Sequence, residues 1–247
     1  MPTSEVPRPI SLHDMLTLLQ EGTLELKGLL PEGSNYTFLV TVGDGTQKTL
    51  AVYKPTRGER PLWDFPAETL AHREVAAFLV SEVLGWNFVP PTVFRPEGPH
   101  GSGSVQFFIH AQADIHYFTL AEADQPELQR IALFDLLANN ADRKGGHVIK
   151  DEAGKLWAID HGLCFHAQPK LRTVIWDFSG QAIPKKFLDD VGDFRRRLDK
   201  DKDLKTAINN LLTPLEVSAL RRRADKLLAS GCYPGPGPGR NYPWPPV

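Results

Sequence analysis

Hydrophobic positions alternate with polar ones through much of the first third of the chain and recur at helical spacing in most of the rest. Ser11 precedes an amphipathic run carrying Leu12, Met15, Leu16, Leu18 and Leu19, which predicts a short helix capped at its start. Alternation follows: residues 24–30, 36–42 and 49–55 predict three antiparallel strands, joined by turns at 31–35 and at Gly43-Asp44-Gly45. After a polar, proline-flanked insertion at 56–66, a helix is predicted from Ala67 to Leu84. It ends at Gly85 and turns Leu70, Val75, Phe78, Leu79 and Val83 inward. Residues 87–95 read as an edge strand tolerant of Pro90 and Pro91, and 104–109 as a buried strand. The stretch 111–124 reads as a connection and an acidic loop.

Beyond it the spacing predicts a helix over 125–138, burying Ile131, Leu133, Phe134, Leu136 and Leu137, and then a hairpin with strands at 147–150 and 156–159. Charged helices begin at Lys185, and the last starts at Thr213-Pro214 and stops at Gly231. The expected architecture is therefore α+β, with a small antiparallel-sheet lobe over 1–112, a mostly helical lobe over 113–232, and a Pro/Gly-rich segment over 233–247. The end of that segment, Tyr242-Pro243-Trp244-Pro245-Pro246, is free to pack back on the body or to bind a partner.

Composition narrows the function. A formal charge of −2 and a pI near 6.4 argue against a nucleic-acid surface as the main business of 247 residues. Cys164 and Cys232 are too few for a disulfide framework and lack CxxC spacing, which fits a reducing cytoplasm. No apolar run is long enough to span a bilayer, and no signal pattern opens the chain, so a cytoplasmic protein without a transmembrane segment is expected.

The chemistry concentrates in Asn139-Asn140-Ala141-Asp142-Arg143-Lys144-Gly145-Gly146-His147 and in Ile159-Asp160-His161-Gly162. An aspartate lies in a short turn, a ligand-capable residue follows five positions on, and a strand then ends in Asp-x-Gly. The hairpin between brings Asp142 and Asp160 to one end of its sheet. Phosphoryl transfer from ATP needs that convergence: one carboxylate faces the acceptor hydroxyl while the other holds a metal on the phosphates. Asp135 on the preceding helix either anchors this loop or is a surface carboxylate.

The first lobe offers weaker signals whose order matters more than any one of them. Gly33-Ser34-Asn35 wraps phosphate oxygens or is simply a hairpin turn. Lys54, ending the third strand, neutralises the α- and β-phosphates or is solvated. Glu74 on the following helix pairs with Lys54 or faces water. Phe107, Phe108 and Ile109 line an adenine pocket or are plain core. In the last third, Lys170 and Arg172 contact an acidic acceptor or form a solvated basic turn.

At these residues the chain resembles the phosphatidylinositol 3-/4-kinase superfamily, most of all its compact branch of type II phosphatidylinositol 4-kinases and HipA-like serine kinases. More narrowly it is similar to an actinobacterial family described as phosphatidylinositol-kinase-related. Ile-Asp-His-Gly-Leu-Cys-Phe at 159–165 resembles I-D-N-G-L-A-F, and Asn140-Ala141-Asp142-Arg143 resembles N-x-D-R. Glu32-Gly33-Ser34 resembles the phosphate-binding hairpin, and Val52-Tyr53-Lys54-Pro55 resembles V-F-K-P. Arg73-Glu74 through Val89-Pro90-Pro91-Thr92 resembles the helix and exit strand that follow. The likeness runs from about Leu24 to Trp176.

The resemblance implies a two-lobed protein-kinase-like fold, with ATP and Mg or Mn as cofactors. It makes Asp142, Lys54 and Glu74 catalytic, assigns Gly33, Ser34, Asn35, Lys54, Phe107, Phe108 and Ile109 to the nucleotide, and assigns Asp160 to the metal. In the usual D-R-H-x-x-N pattern the asparagine holds a second metal; here that position is His147, and Lys144 replaces the histidine. An imidazole suits Mn²⁺ better than Mg²⁺, so either His147 is a second ligand to a softer metal, or Asp160 holds the metal alone, or the site is a weakened or dead kinase; an active enzyme with a preference for Mn²⁺ is expected.

The acceptor is expected to be a protein, including the chain itself, or a soluble molecule. There is no cysteine-rich palmitoylation segment and no basic amphipathic helix, which leaves a lipid acceptor second. A nucleotide-binding pseudokinase scaffold and a transferase of AMP remain as further alternatives.

Overall fold

The computed structural model describes residues 10–30 and 36–247. The α+β architecture expected from the pattern is present, in two compact units. One comprises Met1–Gly58 with Pro91–Phe108, the other Glu59–Pro90 with Ile109–Val247. By this division the helix after the insertion falls in the second unit, and the partners of its charged residues are described below.

In the first unit, Ser11 Oγ accepts from the Asp14 N–H and starts α1 (Leu12–Glu21), which buries Met15, Leu18 and Leu19. These cover a five-stranded antiparallel sheet built from β1 (Thr23–Leu29), β2 (Phe38–Gly43), β3 (Lys48–Pro55), β4 (Thr92–Arg95) and β5 (Gly103–Phe107). The order is β1-β2-β3-β5-β4. Val40, Val42, Ala51, Tyr53, Val93 and Val105 complete this core. The strand after Pro90-Pro91 lies at the sheet edge, where the missing proline N–H groups cost nothing. Lys54 pairs in register with Ser104, and Pro55 with Gly103. A Cβ at Gly103 would overlap the Lys54 carbonyl oxygen, so glycine keeps β5 close to the lysine strand. The turn expected to carry Gly33, Ser34 and Asn35 lies outside the described residues.

The second unit holds α2 (Leu70–Val83), β6 (Ala111–His116), α3 (Gln125–Ala138), β7 (Val148–Asp151), β8 (Leu156–Ala158), α4 (Lys185–Lys200), α5 (Lys202–Leu211) and α6 (Pro214–Ser230). Its sheet runs β6-β7-β8. The stretch read as a connection and loop therefore contains a strand, followed by two short 3-10 turns. Gln112, Asp114 and His116 give β6 no apolar alternation, since it is an edge strand held by its backbone against β7.

Helix α2 is buried on more sides than an amphipathic stripe predicts. Val75 and Leu79 are only half-buried, whereas Arg73, Glu74, Ala76, Ala77 and Ser81 lie inside. Arg73 donates to Glu216 and to the Cys164 carbonyl oxygen, which ties α2 into the second unit. Burial opposes the Glu216 charge, but Arg73 and the Thr213 N–H hold its carboxyl below the ordinary value. Glu216 also completes a capping box with Thr213, where α6 begins as expected, and Gly231 at φ 62° ends that helix. Thr213→Ala is expected to lower stability by about 1 kcal/mol, read as a lower urea midpoint at unchanged m-value.

Candidate active site

Helix α3 ends at Asn139 in the left-handed conformation, and the loop that follows is built around one buried cation. Arg143 is fully buried. It donates from Nε and Nη2 to the two carboxylate oxygens of Asp135, at 2.9 and 3.0 Å. Its Nη1 reaches the carbonyl oxygens of His147 and Ile159, and its Nη2 lies 2.7 Å from His161 Nε2. A guanidinium only donates, so Nε2 accepts and the ring proton is on Nδ1. Burial works against the Arg143 charge, yet the paired carboxylate more than offsets it and holds the guanidinium above its ordinary value. Asp135 is thus the anchor of the loop rather than a surface carboxylate. It also accepts from Asn140 Nδ2, while Asn140 Oδ1 receives the Asp142 N–H at 2.9 Å.

Through these bonds one arginine fixes both chemical loops. The first carries Asp142 and the second carries Asp160, whose backbone takes the left-handed conformation (φ 59°) that aspartate tolerates and β-branched residues do not. Glu74 holds the second loop from the other side, accepting the His161 N–H at 2.9 Å. It is 2% exposed, which rules out the solvated carboxylate that the sequence left open. Phe65 and Leu70 pack on Ala141 and Leu163, so the insertion also supports the site.

The electrostatics follow from this geometry. Asp142 is pushed up to about 6, first by desolvation and further by the neighbouring Asp160, against the pull of Lys144 and Arg172. Lys144 Nζ stands 3.5 Å from Asp142 Oδ2, a role that sequence spacing did not reveal. His147 Nε2 lies 3.3 Å from Asp160 Oδ2. Among the described residues no group of three or more His, Cys, Asp and Glu side chains converges. A metal here would take two protein donors and draw the rest from phosphate and water. Adjacent ligands of an octahedral ion are about 3 Å apart, so the His147 and Asp160 atoms fit one cation. Against this, His147 Nδ1 receives the Lys144 N–H at 3.4 Å, so ligation through Nε2 requires that long contact to be given up.

Asp142, Asp160, His147 and Glu74 come together within the second unit. Lys54 is half-buried on β3 of the first unit. Phe107 is half-buried against the first core, and the Phe108 N–H donates to the Leu50 carbonyl oxygen. Ile109, also half-buried, opens the later segment of the second unit. Lys170 is neither a free contact nor a solvated turn, because it pairs with Asp64 at 2.9 Å and both are 10% exposed. Sequence reasoning missed Arg143 as the hub. It also missed Asn139, whose side chain bonds the backbone of His166, Gln168 and Lys170. The sequence signals for these residues were their place in the Asp142 loop and, for Arg143, the N-x-D-R likeness.

The fold is the α+β fold of kinase-like proteins. A crystal structure of the Golgi casein kinase with Mn/ADP bound superposes with a TM-score of 0.57 at 16% identity, covering 88% of this chain and 74% of that one. Hydra Fam20 with sugar gives 0.56 at 14% identity, covering 91% and 90%. The Helicobacter pylori proinflammatory kinase CtkA gives 0.53 at 14%, covering 87% and 94%. At such identities the likeness is one of fold.

No family model matches the sequence. The chain belongs to the family of Protein Rv2133c of Mycobacterium tuberculosis (strain ATCC 25618 / H37Rv), with which it is 38% identical over 267 residues, covering 94% of this chain and 95% of that protein. It is also similar to phosphatidylinositol 4-kinase gamma 4 of Oryza sativa subsp. japonica, at 30% identity over 54% of this chain. Phosphatidylinositol 4-kinase gamma 2 of Arabidopsis thaliana is 27% identical over 92% of this chain. The chain spans 27% and 50% of those plant proteins. Among the described residues no helix is long and apolar enough to cross a membrane.

Proposed function

We propose that the chain is an ATP-dependent phosphotransferase that moves the γ-phosphoryl group to a hydroxyl of a protein, including itself, or of a soluble molecule. The observation that carries this reading is the pair Asp142 and Asp160, held on two loops by the single buried Arg143 and close enough for one charge to raise the other's pKa. Asp142 accepts the hydroxyl proton as the acceptor oxygen attacks phosphorus and ADP leaves. Its raised pKa puts it near the working range of a general base. Asp160, with His147 as second donor, would hold the divalent cation that neutralises charge on the phosphates. Glu74 orients the Asp160 loop through the His161 N–H. Lys54, Gly33, Ser34, Asn35, Phe107, Phe108 and Ile109 are assigned to the nucleotide by motif order, as in the type II and HipA-like branch. The Mn and ADP of one solved relative support ATP with a divalent ion. A cytoplasmic site of action fits the cysteine usage.

Intact mass measurement after incubation with ATP and Mg²⁺ or Mn²⁺ tests the reading. One or more added phosphates, absent in Asp142→Ala, is the expected result. Addition of AMP would redirect the reading to adenylylation. Nucleotide binding without turnover on protein, small-molecule or phosphatidylinositol acceptors would leave a pseudokinase. Turnover is expected to be several-fold higher in Mn²⁺ than in Mg²⁺, and His147→Asn to reverse that order, because the amide oxygen is the harder ligand. Equal rates in both metals would remove His147 from the metal set and leave it orienting Asp160.

A lipid acceptor is the second reading, favoured by the names of the plant relatives. Phosphorylation of phosphatidylinositol in vesicles, faster than of any protein acceptor, would establish it instead.

A further inference from the structure

The Pro/Gly-rich segment returns to the loops just described. It leaves α6 through Tyr233, which is buried beside Phe178 and donates its hydroxyl to the Gln129 carbonyl oxygen. After an exposed stretch, Asn241 binds its own turn through the Gly237 and Gly239 carbonyl oxygens. The Asn241 carbonyl oxygen then accepts from the Thr173 N–H at 3.1 Å and from Trp176 Nε1 at 3.4 Å. Tyr242 sets its ring edge-on to Trp176, Pro243 is buried, and the Pro246 carbonyl oxygen accepts the Gly145 N–H at 2.7 Å.

Gly145 is three residues from Asp142 in the same loop. Thr173 pairs with Arg143 in a parallel bridge, so both main-chain donors flank the proposed base. These three contacts offer the segment only N–H groups and take only carbonyl oxygens from it. Prolines at 243, 245 and 246 have no N–H to satisfy. The fit is chemical as well as steric: a track of donors holds a chain rich in residues that can only accept.

We propose that this track, lined by Gly145, Thr173 and Trp176, binds a proline-containing polypeptide acceptor, and that residues 241–246 are its internal occupant. The inference rests on the phosphotransferase reading and gives it a substrate class. An external acceptor enters when the chain's own segment leaves.

The test is fluorescence anisotropy with a labelled peptide of residues 240–247, against the intact protein and a chain ending at Gly235, which keeps the Tyr233 anchor. The shortened chain is expected to bind saturably. The intact protein should bind about tenfold or more weakly, because its tethered segment competes at an effective concentration in the millimolar range. Equal binding by both, or none by a folded shortened chain, overturns the proposal. Should the shortened chain lose its circular dichroism signal, Pro243→Asp in the full chain displaces the segment instead, and failure of that variant to take up the peptide is equally decisive.

Phosphotransfer separates the two readings. Peptide binding without transfer to any acceptor keeps the track and removes the kinase. Transfer by the shortened chain that the unlabelled peptide fails to inhibit, to protein or to phosphatidylinositol vesicles, keeps the kinase and removes the track.

Discussion

Asp142→Asn is expected to be both inactive and more stable than the natural protein. The asparagine keeps the shape and the Asn140 contact of the backbone but cannot accept the acceptor's proton, so turnover should fall by at least about 100-fold. Stability moves the other way. Folding raises this carboxyl to about 6, so the fold opposes its ionisation and the cost grows as pH rises from about 4 through about 6. At pH 7 the cost is roughly 2–3 kcal/mol, which the neutral amide avoids. Urea titrations of the metal-free proteins should therefore coincide near pH 3.5 and separate by pH 7, with the variant ahead. In turnover with the divalent cation present, the acid limb of kcat/KM should lie below about pH 6, because the cation's charge lowers the Asp142 carboxyl. Two curves that run parallel from pH 4 to 8 would show that Asp142 is not buried against its charge. A stable, inactive variant would mean that the site holds strain for chemistry.

Arg143→Met is expected to cost about 3–5 kcal/mol, because it leaves Asp135 fully buried with no cation. The carbonyl oxygens of His147 and Ile159 and the Nε2 of His161 lose a donor in the same step. The second substitution separates the two contributions. Asp135→Leu added to Arg143→Met replaces the buried ion pair by apolar volume, an exchange that is often neutral or better. The double variant should recover much of the urea midpoint. Activity should stay lost, since nothing then ties the Asp142 loop to the Asp160 loop. Recovery of turnover along with stability would show that the arginine only stabilises and does not position.

How much of this was legible in the chain differs by element. The strands of the first sheet, α3 and the start and stop of α6 follow local rules: alternation, helical spacing, a Thr-Pro-Leu-Glu capping box and a glycine that adopts positive φ. Those rules act over a few residues and can be read without a fold. So can the kinase-like layout, because Asp142 and Asp160 are separated by one short hairpin and a hairpin leaves little freedom in where its ends go.

Other features depend on contacts across long stretches of chain. Glu74 became the support of a loop 87 residues away. Arg73 found Glu216 at a separation of 143. Lys170 was withdrawn from any acceptor by Asp64. A charged side chain reads as solvated by default, since only a partner brought by the fold can offset the cost of burying it. Strand β6 was invisible for a related reason: its partner supplies the hydrogen bonds, and its own side chains need not be apolar. The order of motifs was thus written in the sequence, whereas the burial of charge and the return of residues 241–246 to the Asp142 loop were decided by tertiary structure, where distant segments meet.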